Sequence, residues 1–152
     1  MTDDALLQQL DAHYQAMPPV ASMHLSIAGY DGARLRLRAP LAVHVNDKGC
    51  AFGGSLVSLM TLAGWGLASL QLQAAGLDAD VFVADSQVRY LAPLFADLEA
   101  VAGFAADADP AGFLDAVRNR GRGRIEVQAS VPLPEGGVAT VMQARYVAIA
   151  RR

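Results

Sequence analysis

The sequence has a single cysteine, Cys50, and only 18% charged residues. One cysteine excludes a disulfide framework or a cysteine-based zinc site within the chain, and it fits a reducing cytoplasm. Twelve Lys and Arg against fifteen Asp and Glu give a formal net charge of −3, whereas a nucleic-acid-binding domain of this size is usually basic. The three histidines are widely scattered, and no phosphate-binding or dinucleotide-binding glycine motif is present. We therefore expect no nucleic-acid partner, no metal and no cofactor.

Two segments bear on targeting. The chain starts Met1-Thr2-Asp3-Asp4, which is acidic where a secretory signal would be basic, so we expect a cytoplasmic protein. Residues 53–77 carry no charged side chain and are long enough to cross a bilayer. That run is rich in glycine, serine and glutamine and has no flanking Lys/Arg cluster. We interpret it as a helix buried inside a protein rather than a membrane span.

The 152 residues form a single domain, 1–152, in which helical and strand periodicities alternate. Apolar residues at helical spacing predict a first helix over 3–16, stopped by Pro18-Pro19. Period-two alternation then predicts a hairpin with its turn at 30–32, and 40–50 is predicted as a loop. The remaining predicted elements are the uncharged helix 54–75, strands at 81–91 and 98–106, a short helix from 109 to about 121, and strands at 125–133 and 138–150.

One apolar helix among about six antiparallel strands has few packing solutions. A sheet that curls around the helix buries it on most sides, which is the α+β hotdog architecture. The chain is 53% hydrophobic, so a monomer would have difficulty covering its apolar surface. Exposed sheet edges and helix surface therefore favour a homodimer, and the sequence leaves open whether dimers pair into tetramers.

The pair Gly53-Gly54 opens the uncharged helix. Free N–H groups at a helix N-terminus, with the helix dipole behind them, bind a negatively charged oxygen, and glycine lets a ligand approach the backbone closely. Such a site would polarise a thioester carbonyl. A glycine pair is equally typical of a tight loop-to-helix turn. Asn46, seven residues earlier, could orient a carbonyl or a water, or act as an ordinary turn residue.

The segment from Asn46 to Gly54 resembles the active-site loop of hotdog acyl-thioester enzymes of the phenylacetyl-CoA thioesterase type, with Phe52 where those enzymes usually have histidine. From about Pro19 onward the chain is more similar to the thioesterase family typified by the C-terminal domain of YiiD. The matching segments are 46–49, 52–56, 62–66, 85–93 and 97–100. Members of that family are associated with decarboxylation of malonyl-acyl-carrier protein to the acetyl form, which primes fatty-acid synthesis.

The phenylacetyl-type enzymes carry a carboxylate on the central helix at the position of Thr61. Threonine cannot serve unaided as the general base that hydrolysis needs. Decarboxylation of a malonyl thioester instead needs an oxyanion hole for the enolate, and a nearby carboxylate would repel the substrate's own. The presence of Thr61 instead of a carboxylate favours decarboxylation over hydrolysis, although a hydrolase can place its general base elsewhere. Asp85, in an otherwise uncharged strand segment, could be that base or a structural acceptor, and Ser86 beside it is a candidate substrate contact.

Several other side chains are candidate substrate contacts. Phe52, Ser55 and Trp65 could line the acyl pocket, although core packing is the alternative for Trp65. His44 and Cys50 share the loop, so a Cys–His pair is conceivable, but we interpret Cys50 as a small loop residue. We interpret Tyr90 as a core or dimer contact rather than a catalytic group.

Residues 118–124 form a basic segment. It comprises Arg118, Arg120, Arg122 and Arg124. Guanidinium groups this close repel one another unless an anion is bound, so the segment could hold coenzyme A phosphates or the acidic face of an acyl carrier protein. A solvated loop without a ligand is the alternative.

The leading hypothesis is thus a homodimeric hotdog enzyme that converts malonyl-carrier protein to acetyl-carrier protein. Its catalytic residues would be Asn46, Gly53, Gly54 and Thr61. Hydrolysis of an acyl thioester with Asp85 as base is the second hypothesis. A non-catalytic acyl-thioester binder is the third.

Overall fold

The structure, a computed structural model, describes residues 2–152. Its helices are α1 (Asp3–Ala16), α2 (Pro18–Ala21), α3 (Gly53–Ala74) and α4 (Pro110–Arg120), with a 3₁₀ turn at Leu41–Val43. Its strands are β1 (Ser26–Tyr30), β2 (Arg34–Ala39), β3 (Ala79–Tyr90), β4 (Leu98–Phe104), β5 (Arg122–Pro132) and β6 (Val138–Ala150).

The six strands form one antiparallel sheet in the order β1-β2-β4-β5-β6-β3. Buried and exposed residues alternate along strands β2, β5 and β6. The sheet therefore has an inner face that packs against α3 and a solvent-exposed outer face. This is the predicted hotdog arrangement, in which the sheet curls around a central helix. Strand β3 is the long edge strand, and among residues 2–152 no strand pairs with its free side.

Helix α3 lies at the centre because its sequence offers no polar face. Half of its 22 residues are buried, from Leu56 through Leu72. It is long and apolar enough to cross a membrane by length and composition, but 61% of its most apolar window is buried inside the fold. A helix that is apolar on nearly all sides must be covered all round, and the curled sheet together with α1 supplies that cover.

Two buried tyrosines fix the position of α3. Tyr146 on β6 donates a hydrogen bond to the Thr61 carbonyl at 2.7 Å, and Tyr14 on α1 donates to the Leu62 carbonyl at 2.6 Å. Both rings are fully buried, and burial raises the pKa of each phenol. The neighbouring positions Gly64 and Gly66 leave the room that these rings occupy. The tyrosines therefore clamp two successive helix carbonyls.

Two local features differ from the sequence-based expectations. Pro18-Pro19 ends α1 as predicted, but Pro18 also begins the one-turn helix α2, since proline is well suited to the first helical position. The period-two alternation begins at Met23, but the first strand begins only at Ser26, because Met23 and His24 form a turn in which His24 adopts a left-handed φ of 53°. The Met23 carbonyl in this turn is hydrogen-bonded to His44, in the loop that leads into α3.

Candidate active site

A narrow loop carries the chain into the start of α3. The His44 carbonyl accepts a hydrogen bond from the Phe52 N–H at 2.7 Å, and Val45 and Ala51 form an isolated bridge. The Asn46 N–H donates to the Cys50 carbonyl at 2.8 Å. These bonds hold the two sides of the loop together, so the first turn of α3 has a fixed position.

The first two N–H groups of α3 are free. The Phe52 carbonyl accepts from the N–H groups of Ser55 and Leu56 at 3.0 and 3.1 Å, and no side chain caps the helix. Within residues 2–152, no acceptor bonds the N–H groups of Gly53 and Gly54. Two unpaired donors with a helix dipole behind them favour a negatively charged oxygen. The helix start therefore has the properties of an oxyanion hole.

An apolar cavity of about 530 Å³ opens beside this helix turn. It lies between the first turns of α3 and the α2 segment. Its lining residues are Pro19, Val20, Met23, Phe52, Gly54, Ser55, Val57, Ser58, Thr61 and Leu62. Among these described residues none is ionisable. The contribution of α2 was not predicted, because nothing in a Pro-Pro-Val segment signals which distant helix it will contact.

Ser55 lines the cavity and is hydrogen-bonded to His44, which is not one of the lining residues. The Ser55 Oγ lies 2.8 Å from His44 Nδ1, and His44 Nε2 lies 2.7 Å from the Met23 carbonyl oxygen. A carbonyl only accepts, so Nε2 carries the proton, and Nδ1 of the neutral ring accepts from the serine hydroxyl. The imidazole is thus paired with Ser55, and no Cys50–His44 pair forms.

The Asn46 side chain stabilises its own loop. Its Oδ1 accepts from the N–H groups of Lys48 and Cys50 at 2.8 and 3.2 Å, while Nδ2 donates to the Cys50 sulfur at 3.3 Å. This is the turn geometry that the sequence allowed as an alternative, and Gly49 with φ of 82° completes it. Cys50 is buried in the loop, as expected for a small structural residue. The second Nδ2 proton bonds no acceptor within residues 2–152, and Asn46 is not one of the residues that line the cavity beside α3.

Thr61 and Trp65 lie further along α3. The Thr61 hydroxyl donates to the Val57 carbonyl at 2.7 Å, so its proton is directed to the helix backbone although the residue lines the cavity. The Trp65 indole donates to the Val81 carbonyl at 3.0 Å and contacts the His13 ring. Trp65 lines a different cavity, between α1 and β3. It therefore lies outside the group of residues around the helix start.

Asp85 lies on the opposite side of the sheet from α3. It pairs across β3 and β6 with Arg145, which is on the outer face and donates two hydrogen bonds to its carboxylate. These hydrogen bonds from Arg145 lower the pKa of Asp85. Ser86, the next residue, is exposed. Within one chain the structure therefore brings neither residue to the Gly53-Gly54 amides.

Replacing Asp85 with asparagine tests whether this carboxylate takes part in chemistry. We expect Asp85→Asn to keep wild-type turnover of a thioester substrate, because the carboxylate is engaged by Arg145 on the outer face. The measurement is kcat/KM for the mutant and for Arg145→Gln, which removes the partner instead. Loss of activity in Asp85→Asn alone would instead make Asp85 the base.

Tyr90 approaches the site more closely than the sequence suggested. Its hydroxyl donates to the Gly53 carbonyl at 3.2 Å, and a Cβ on Gly53 would lie 3.3 Å from its ring. Tyr90 is 56% exposed, so it covers one side of the helix start without being core. No sequence signal separates this contact from ordinary packing, because it depends on how β3 crosses α3.

The four arginines do not act as one group. Arg118 lies in the last turn of α4 and pairs with Asp115 at 3.1 Å. The other three line a cavity of about 1040 Å³ beside α4, together with Asp107, Asp109 and Glu126. Gly121, in a left-handed conformation, ends the helix directly after Arg120. The groove is therefore of mixed charge rather than uniformly basic.

Comparison with known proteins identifies the family and the fold of this chain. Over residues 7–150 the chain matches the family described as "Putative thioesterase (yiiD_Cterm)". A protein of unknown function from Chlorobaculum tepidum is similar in structure, with a TM-score of 0.92, 28% identity and coverage of 99% of this chain and 98% of that one.

Two further solved structures carry a thioesterase description. A "putative thioesterase" from Shewanella oneidensis has a TM-score of 0.84 at 26% identity, with 96% of this chain and 99% of that one covered. A thioesterase from Haemophilus influenzae shares the fold at 16% identity, with a TM-score of 0.72 and coverage of 99% and 92%. The chain therefore belongs to the thioesterase family typified by the C-terminal region of YiiD, and its fold is the hotdog fold of those enzymes.

Proposed function

We propose that this protein decarboxylates a malonyl thioester to the acetyl thioester, with malonyl-acyl-carrier protein as the substrate and fatty-acid initiation as the role. The observation that carries the proposal is the pair of unpaired N–H groups of Gly53 and Gly54 beside a cavity with no ionisable side chain among its described residues. Loss of carbon dioxide leaves an enolate, and those amides would hold the charge on its oxygen.

The surroundings of the amides support this chemistry. A carboxylate beside the substrate's own would repel it, and the cavity wall has none among its described residues. In this proposal the second Nδ2 proton of Asn46, which bonds no acceptor within residues 2–152, orients the substrate carboxylate or carbonyl. Phe52, Ser55 and Thr61 would enclose the malonyl group, and an apolar surround favours expulsion of an uncharged product. No cofactor enters this mechanism.

The carrier would bind through its phosphate or its acidic surface. Arg120, Arg122 and Arg124 line one groove and are available to an anion, whereas Arg118 is paired. Arginine suits phosphate and carboxylate groups because its donors form a fork. We propose that this groove contacts coenzyme A or acyl carrier protein. The single free cysteine and the carrier-linked substrate support a cytoplasmic location.

One experiment separates the candidate reactions. Purified protein is incubated with malonyl-acyl-carrier protein and with malonyl-CoA, and carbon dioxide, free thiol and product mass are followed together. We expect carbon dioxide with an intact acetyl thioester. Free thiol without decarboxylation would replace the proposal by hydrolysis, the activity that the family description favours. Binding without turnover would leave a non-catalytic acyl-thioester binder.

We further propose that the protein is a homodimer joined along β3. This edge strand is 12 residues long, and its free side would offer unpaired backbone donors and acceptors to a second copy. Large apolar side chains are exposed on the strand and just after it. They are Phe82, Val83, Tyr90 and Leu91. A partner strand would cover these groups.

A charge at this edge should weaken the dimer. We expect Phe82→Lys to shift the protein toward monomer in sedimentation velocity, because a buried ammonium at the interface is costly and lysine discourages edge pairing. Gln128→Lys, on the central strand β5, makes the same charge change away from the edge. A wild-type protein that sediments as a monomer, or a Phe82→Lys protein as dimeric as the wild type, would contradict this interface.

A further inference from the structure

Ser55 differs from the other hydroxyl groups of α3 that the structure pairs. Thr61 and Ser69 each donate to a helix carbonyl four residues back, at 2.7 and 2.8 Å. Those bonds satisfy the hydroxyl within its own helix. Ser55 instead points sideways to an imidazole 11 residues away in sequence. It also lines the cavity, immediately after the two glycines with free N–H groups.

His44 has the environment of a general base that is held in one orientation. The ring is 6% exposed, and its Nε2–H is bonded to the Met23 carbonyl. That carbonyl belongs to the turn in which His24 adopts a left-handed φ, between α2 and β1. A nucleophile in hydrogen-bond reach of a base, with the base oriented by a third group, is the arrangement used in covalent catalysis. Here the third group is a backbone carbonyl.

We infer that Ser55 is a nucleophile, and that the site has a second activity in which an acyl group passes from the thioester to Ser55 and then to water. This inference rests on the proposed function only in using the same thioester-binding amides. Asp85 has no role in it. The Ser55–His44 pair would supply the general base that Thr61 cannot provide, and it places no carboxylate in the cavity.

The steps balance without an added reagent. The Ser55 Oγ attacks the thioester carbonyl carbon, its proton passes to His44 Nδ1, and the oxyanion forms against the Gly53 and Gly54 N–H groups. The carbon–sulfur bond then breaks, and the sulfur takes the proton from Nδ1 and leaves as the thiol. A water molecule repeats the attack on the Ser55 ester with His44 as base, which releases the carboxylic acid and restores the hydroxyl.

The experiment uses the full chain with butyryl-CoA and malonyl-CoA, and follows free thiol, carbon dioxide and intact protein mass. The wild type should release thiol from butyryl-CoA, and Ser55→Ala should lower that rate by about 10²-fold or more. Ser55→Cys should restore an acyl acceptor and carry a butyryl adduct at residue 55. Ser69→Ala removes a hydroxyl from the same helix about 21 Å away and should match the wild type.

The outcomes distinguish this inference from the proposed function. Carbon dioxide release from malonyl-CoA without thiol release from butyryl-CoA would keep decarboxylation and overturn the nucleophile. Thiol release that persists in Ser55→Ala, or a Ser55→Cys protein that is folded but takes no butyryl group, would also overturn it. Thiol release that depends on Ser55, with no carbon dioxide, would support Ser55 and refute decarboxylation.

Discussion

Replacing Gly53 with proline should lower the turnover of the thioester substrate by about 10²- to 10³-fold while leaving the fold intact. The effect follows from one atom, because proline removes the N–H that we assign to the oxyanion and removes no hydrogen bond that the protein itself makes. Gly53 is the first residue of α3, the position where proline is most easily accommodated. Phe52, with φ −64° and ψ 132°, already has the extended backbone that a following proline requires.

Gly53→Ala is the matched control. It places a Cβ near the Tyr90 ring, as proline does, at a distance of 3.3 Å, but it keeps the N–H. We expect it to retain most of the activity. The measurement is kcat for both variants, with circular dichroism to verify the helix content. If proline and alanine lose equal activity, crowding against Tyr90 and not the lost donor would be the cause, and the oxyanion assignment would fail.

Replacing Gly64 with alanine should lower the free energy of unfolding by about 2–4 kcal/mol. Alanine normally gains about 1 kcal/mol over glycine inside a helix, so the sign of this effect is diagnostic. The new Cβ would collide with the Tyr146 hydroxyl and would lie 2.8 Å from the ring carbon that bears it. Tyr146 is fully buried and bonded to the Thr61 carbonyl, so it cannot move without losing that bond.

Urea denaturation of a double-mutant cycle checks the mechanism. Tyr146→Phe alone should cost about 1 kcal/mol through the lost hydrogen bond to the Thr61 carbonyl. In the Gly64→Ala background it should cost less than that, because it removes the atom that the new Cβ meets first. Additive losses in the double mutant, or a Gly64→Ala protein as stable as the wild type, would mean that the tyrosine does not clamp α3 at this point.

The elements whose periodicity is strong were predicted well. The uncharged run 53–77 contains the buried helix α3, and the alternation in 125–133 and 138–150 marked β5 and β6, each with one face inward. Proline and glycine marked the ends of α4, at Pro110 and Gly121. These signals are local, since each depends on residues within one or two turns or on successive side chains of one strand.

The site was predictable only in part for the same reason. The glycine pair at the start of α3 is visible in the sequence, and the free N–H groups were the expected consequence of an uncapped helix. The sequence did not predict that His44 pairs with Ser55 rather than with Cys50, because both residues lie close to His44 along the chain. The face on which Asp85 lies follows from its register with Arg145, which depends on the β-bulge between Val83 and Asp85.

The sequence by itself determined that an apolar helix opening with two glycines lies at the centre of the fold, because a helix without a polar face must be covered on nearly all sides by other elements. The tertiary structure alone decided which groups meet at that helix start: Tyr90 from β3, the Met23 turn after α2, and the imidazole of His44. The physical reason is that patterning fixes which side of each element is buried, whereas contacts between distant residues depend on how the elements cross.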